Sequence, residues 1–191
     1  MSTLWLLRHV PVLAAPGLCY GRTDLACAVE ATRSVAQAIA PTLPVRIDIF
    51  SSPLQRCTLL AGLLSALRPD LGPTRMDSRL AEMDFGAWEG RPWSDIGRAE
   101  FAAWMDDFAD GRVGGHGEST RQFMARVGSA WDDWRASGRD ALWVTHAGVM
   151  RAVTLLESGI RCPTDAAAWP KQSIGFGELI KIRGVNLDHL A

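Results

Sequence analysis

Two arginines, two histidines and one glutamate carry the chemistry that this 191-residue chain offers. Arg8 and His9 end an apolar run in "LWLLRHVPV" (4–12), and Arg56 lies in "SSPLQRC" (51–57). Glu82 lies in "RLAEMDFGAWEG" (79–90), and His146 in "VTHAGVMR" (144–151). Singly, each has an ordinary explanation: a solvated cation, a satisfied histidine, a surface acid. Together they form the donor set for a phosphoryl group. Arginine forks and a histidine N–H can hold the equatorial oxygens whose charge must be stabilised in the transition state. A neutral imidazole held in line is a competent nucleophile toward phosphorus. His9 suits that task because a rigid strand aims it. A carboxylic acid in an anionic pocket can have a raised pKa and protonate the departing oxygen, which points to Glu82. No acidic cluster suited to Mg²⁺ accompanies these groups, so the expected clamp is free of metal and of any cofactor.

Such a set works only if the backbone gathers it, and the pattern of elements says how. Residues 3–8 read as a short buried strand, followed by a loop rich in Pro and Gly. Residues 29–40 have helical character, with Val29, Ala36 and Ile39 among the positions expected to be buried. "PVRIDIF" (44–50) reads as a strand, and "SSPLQR" as a helix start with Ser52 as N-cap, Pro53 in the first turn and Gln55 completing a capping box. That helix is expected to reach Arg68, stopped by Pro69. A weaker strand follows at 73–77, then a helix over 93–108 and a mobile loop with four glycines over 109–118. The spacing predicts a helix over 119–137 with Phe123, Val127, Trp131 and Trp134 on one stripe. A buried strand over 140–145 leads into a helix opened by "HAGVMRA", and 176–184 reads as an edge strand.

Strands alternating with helices predict a single domain over 1–191. It would be a three-layer α/β/α sandwich with a mostly parallel central sheet, and 93–121 a helical and loop insertion near the site. In such folds ligands bind outside the carboxyl ends of the strands. Arg8-His9, Arg56, Glu82 and His146 all follow predicted strands.

Composition narrows the setting. Twenty basic against twenty-one acidic residues give a net charge of −1, which excludes the basic footprint of a general nucleic-acid binder. No apolar stretch approaches the length of a membrane span. The four cysteines show no C-x-x-C pair and no metal-like spacing, so reduced thiols in a cytoplasmic protein are expected. No secretion signal is evident. The expected partner is a small phosphorylated metabolite, with neither nucleic acid nor membrane, and the sequence is silent on oligomeric state.

The motifs "LLRH" (6–9), "YGRTD" (20–24), "SSPLQRC", "LAEMDFGAWEG" (80–90) and "VTHAGVMR" resemble, in order, those of the histidine phosphatases, the phosphoglycerate mutase-like superfamily. The resemblance implies that His9 is the phosphorylated nucleophile, that Arg8, Arg56 and His146 hold the phosphoryl group, and that Glu82 is the proton donor. "GLCYGRTD" followed by "FGAWEGRPWSDI" is most similar to the α-ribazole phosphatases, which remove the 5′-phosphate from α-ribazole phosphate or cobalamin phosphate. It further implies that Tyr20, Gly21 and Arg22 approach the substrate. The chain departs from the family where Val10 replaces the usual Gly and Val12 the usual polar residue.

The sequence leaves other readings open. One is a phosphatase of another small metabolite, such as a sugar phosphate or phosphoglycerate; another is a phosphohistidine protein phosphatase. A catalytically inactive phosphate-binding regulatory domain is a third. A fourth keeps the fold and scatters the five groups. Eight tryptophans are also present, and some of Trp88, Trp93, Trp104 and the loop 109–118 are expected to cap the pocket.

Overall fold

The computed structural model describes residues 2–184. Its centre is a five-stranded sheet of β1 (Thr3–Arg8), β2 (Asp48–Ser51), β3 (Thr74–Met76), β4 (Ala141–Thr145) and β5 (Leu179–Arg183), ordered β3-β2-β4-β1-β5. β1 pairs in parallel with β4, from Leu4 opposite Ala141 to Arg8 opposite Thr145. β2 pairs in parallel with both β4 and β3. Only β5 runs antiparallel, along the outer side of β1.

The period-two pleat of β1 divides its side chains between two cores. Leu4 and Leu6 join the core beneath α4 (Thr120–Ser137) and α5 (Ala147–Glu157). Trp5 and Leu7 join the core beneath α1 (Val29–Ile39) and α2 (Gln55–Leu67). This is an α/β fold of the phosphoglycerate mutase-like kind, mostly parallel and covered on both faces. A strand buried on both faces needs a continuous apolar run, which explains why Leu4–Leu7 contains no polar residue.

Several local expectations are revised. The second strand begins at Asp48 rather than 44, because Arg46 adopts φ +59° and turns the chain just before it. Ser52 is not a helix cap. α2 starts at Gln55, whose N–H donates to Asp24 Oδ1 at 2.8 Å while its side-chain amide donates to Asp24 O at 3.1 Å. The predicted helix 93–108 divides into a short turn at Trp93–Asp95 and α3 (Arg98–Asp106). In α1 Val29 is 49% exposed, whereas Thr32 and Ala36 fill the buried stripe.

The glycine-rich loop 109–118 is closely packed. A Cβ on Gly114 or Gly117 would lie 2.4 Å from the carbonyl oxygen of Phe85 or Asp84, so this close approach admits only glycine. α4 conforms to its pattern: Ser119 and Gln122 make a reciprocal capping box, and Phe123, Val127, Trp131 and Trp134 are buried. No helix among the described residues is long and apolar enough to cross a membrane.

Candidate active site

The carboxyl ends of β1, β2 and β4 open into one cavity of about 380 Å³. Arg8, His9, Arg56, Glu82 and His146 all line it, with Gly17, Leu18, Tyr20, Trp93, Ala147 and Arg151. The five groups are therefore gathered rather than scattered.

His9 is 2% exposed and extends β1 by one residue, its N–H donating to Thr145 O at 3.0 Å. Its Nδ1 lies 2.6 Å from Val10 O. A carbonyl only accepts, so Nδ1 carries the hydrogen and Nε2 the free lone pair. Burial pushes the imidazole down to about 3; the Val10 carbonyl opposes this, and the Arg56 and Arg8 charges reinforce it. The ring is neutral at pH 7. At position 10, where Val stands in place of the family's usual Gly, the backbone carbonyl orients the ring while the Val10 side chain is buried.

Arg56 is fully buried, one residue into α2. Its Nη1 donates to Thr23 O at 2.7 Å, its Nη2 to Gly21 O at 2.5 Å and its Nε to His146 Nδ1 at 3.3 Å. Three of the five N–H groups of a guanidinium are thereby engaged, which leaves two. Among the described residues Arg56 has no carboxylate partner. A buried cation without a counterion is costly, and an arriving dianion would relieve that cost.

Arg8 ends β1. Its Nη1 donates to Ile174 O, and its guanidinium carbon lies 3.8 Å from the centre of the Phe176 ring. Arg8 Nε is buried with no hydrogen-bond partner among the described residues.

His146 is fully buried and caps the start of α5. Its Nε2 lies 2.8 Å from Ser52 Oγ, and its ring meets His9 edge-on at 5.1 Å. Burial holds it well below the usual imidazole range, and the charge of Arg56 adds to this.

Glu82 reaches the same N-terminus. Oε2 accepts the Gly148 N–H at 3.0 Å and Oε1 the Met83 N–H at 3.2 Å. Gly148 is needed for the approach, since a Cβ there would lie 2.1 Å from Glu82 Oε1.

Of the remaining candidates, Tyr20 lines the cavity, 5.3 Å from the Arg56 guanidinium carbon to its ring centre. Gly21 and Arg22 are not among the lining residues. Gly21 offers its carbonyl to Arg56, and Arg22 pairs with Asp84 at the surface, 73% exposed. Trp93 forms part of the wall and is 42% exposed. Trp88 is buried in the core and Trp104 packs against it, and no residue of 109–118 lines the cavity.

Sequence reasoning passed over Arg151 and Phe176. Arg151 carried a signal, because a helix opening at Ala147 places position 151 one turn on, over the same cavity. Its Nη2 donates to Gln172 O at 3.2 Å and its Nε is buried with no partner among the described residues. Among the described residues no group of three or more His, Cys, Asp or Glu is placed to hold a metal ion.

A sheet that aims a neutral histidine into a cavity walled by arginines defines an α/β enzyme that handles phosphoryl groups. The chain belongs to the histidine phosphatase superfamily, branch 1, whose family model matches residues 4–164, and it is a phosphoric monoester hydrolase. A Hydrogenobacter thermophilus protein named "Putative phosphoserine phosphatase 2" is 29% identical over 168 residues, covering 84% of this chain and 80% of that protein. An Escherichia coli structure described as "a putative alpha-ribazole-5'-P phosphatase" superposes with a TM-score of 0.72 at 25% identity, covering 86% of this chain and 82% of that one. The mycobacterial glucosyl-3-phosphoglycerate phosphatase shares the fold, with a TM-score of 0.77 at 23% identity over 94% of this chain and 89% of its own.

Proposed function

We propose that this protein is a metal-independent phosphomonoesterase that works through a phosphohistidine at His9. The observation that carries the reading is the neutral His9, its Nε2 lone pair free, beside a fully buried Arg56 that has no carboxylate partner among the described residues. His9 Nε2 attacks phosphorus and forms the N–P bond as the P–O bond to the leaving group breaks. Arg8 and Arg56 hold the equatorial oxygens. Glu82, in its acid form, gives its proton to the leaving oxygen. Water then attacks the phosphohistidine and Glu82 takes up its proton, which releases phosphate and restores both residues.

His146 faces the cavity with its ring nitrogens bonded to Arg56 and Ser52, so in this reading it also holds the Arg56 guanidinium in place.

For the substrate we propose α-ribazole 5′-phosphate or cobalamin 5′-phosphate, and a cytoplasmic setting. The similarity of "GLCYGRTD" and "FGAWEGRPWSDI" supports this, as do the name of the Escherichia coli neighbour and the exposed Trp93 ring, a surface on which a flat base can stack. Arg151 favours a second reading. A further cation in the wall suits a leaving group that bears a carboxylate, as in the phosphoserine of the Hydrogenobacter relative's name. Competitive turnover of α-ribazole phosphate against phosphoserine and a neutral phosphomonoester decides between them. An advantage for α-ribazole phosphate below about tenfold in kcat/KM, or ~1.4 kcal/mol, would overturn the first reading.

A further inference from the structure

Glu89 lies outside the cavity and touches none of the five groups, yet it is the most heavily engaged carboxylate near the site. It accepts the main-chain N–H of Gly21 at 3.0 and 3.1 Å to its two oxygens, of Arg22 at 2.9 Å, of Thr23 at 3.1 Å and of Phe85 at 3.0 Å. The Thr23 hydroxyl donates to it as well. Five donors converge on one carboxylate, and four of them come from three consecutive residues. Burial pushes the Glu89 carboxyl up, but the bonds from Thr23, Phe85, Gly21 and Arg22 outweigh it and hold the group below its ordinary range.

The other side of that loop explains why the convergence matters. The carbonyls of Gly21 and Thr23 point the opposite way and accept two N–H groups of Arg56. One short loop therefore turns its donors to Glu89 and its acceptors to the guanidinium. The loop has little slack, because a Cβ on Gly21 would lie 1.8 Å from Met83 O, so this backbone is seated directly on the Glu82 segment. Near-attack geometry tolerates little displacement: about 1 Å of misplacement from a remote change can cost ~10²-fold in rate.

We propose that Glu89 is a positioning residue for phosphoryl transfer, its carboxylate setting the conformation of residues 21–23 whose carbonyls aim Arg56 into the cavity. The proposal rests on the reading that Arg56 holds the phosphoryl group. Glu89→Gln tests it, since the amide keeps the shape but presents N–H groups to backbone donors.

The readouts are kcat and KM for p-nitrophenyl phosphate and the inhibition constant of vanadate, each in the wild-type and the Arg56→Lys backgrounds. Glu89→Gln is expected to lower kcat/KM by about 10- to 100-fold, mostly in kcat, and to weaken vanadate in step. In the Arg56→Lys background the further loss is expected to be under about threefold, because the group being aimed is already altered. Equal losses in both backgrounds would show a loop staple with no connection to Arg56 and overturn the proposal. An Arg56→Lys protein with unchanged vanadate affinity would instead sink the underlying reading of Arg56, and the proposal with it. Should Glu89→Gln not fold, Thr23→Val removes only the hydroxyl bond, and the same cycle with it applies the same criterion.

Discussion

Ser52 Oγ lies 2.8 Å from His146 Nε2, while Arg56 Nε approaches the other nitrogen of that ring at 3.3 Å. Arginine only donates, so Nδ1 holds the lone pair and Nε2–H is given to Ser52. The serine therefore sets the tautomer that lets His146 accept from Arg56. Ser52→Ala leaves the buried Nε2–H with only the weak acceptor Cys57 Sγ at 3.5 Å. The expected result is a loss of about 1–3 kcal/mol in urea denaturation. An unchanged midpoint would show that the bond contributes nothing.

Gly148→Ala should separate activity from stability. Alanine is better than glycine in a helix by up to ~1 kcal/mol, so stability is expected to hold or rise. The new methyl takes the place of the Glu82 carboxylate, a flexible group that can swing aside. Turnover of an alkyl phosphate should then fall about 100-fold. A variant that keeps full activity would mean that Glu82 need not sit at the α5 N-terminus.

Glu82→Gln should be sensitive to the leaving group. An alkoxide needs a proton as it departs and nitrophenolate does not. The expected loss is about 10²- to 10⁴-fold on an alkyl phosphate, and under ~tenfold on p-nitrophenyl phosphate. Equal losses on both substrates would remove Glu82 from the acid role.

Acid should destabilise the ligand-free protein before most carboxylates titrate. His9, moved down to about 3 chiefly by burial, and His146, lowered well below its usual range by burial, stay neutral in the fold, whereas the unfolded chain binds a proton at each near pH 6.5. The unfolded state thus holds more protons below that value. Stability contributed by the neutral rings is fully present above pH 6.5 and is lost as pH falls, down to about 3 for His9. Between pH 7 and 5 His9 should account for about 2 kcal/mol, and His146 adds a loss of the same sign. Urea denaturation of wild type and His9→Gln at the two values checks this. The variant should lose about 2 kcal/mol less than wild type, and a wild type equally stable at both would overturn the assignment.

The reach of the sequence follows the range over which each residue is determined. Leu4–Leu7 and the stripe of α4 are set by local periodicity, so they could be read from neighbouring residues alone. The five site groups were legible because each follows a strand, at its end or in the segment after it, and parallel strands point their carboxyl ends the same way. Ser52 was misread because its partners are spread through the fold: the donor expected at α2 is capped by Asp24, and the hydroxyl is drawn toward His146, 94 positions away. Phe176 left no local trace. It reaches Arg8 only because β5 turns back antiparallel along β1.

That last pairing bears on the order in which the molecule can be completed. β1 precedes the other four strands of its sheet, yet both of its neighbours, β4 and β5, come from beyond residue 140. On a growing chain Thr3–Arg8 has no sheet partner until most of the sequence exists, and Phe176 covers Arg8 later still. The carboxyl end of β1 that carries His9 is thus framed on both sides by strands made more than 130 residues later.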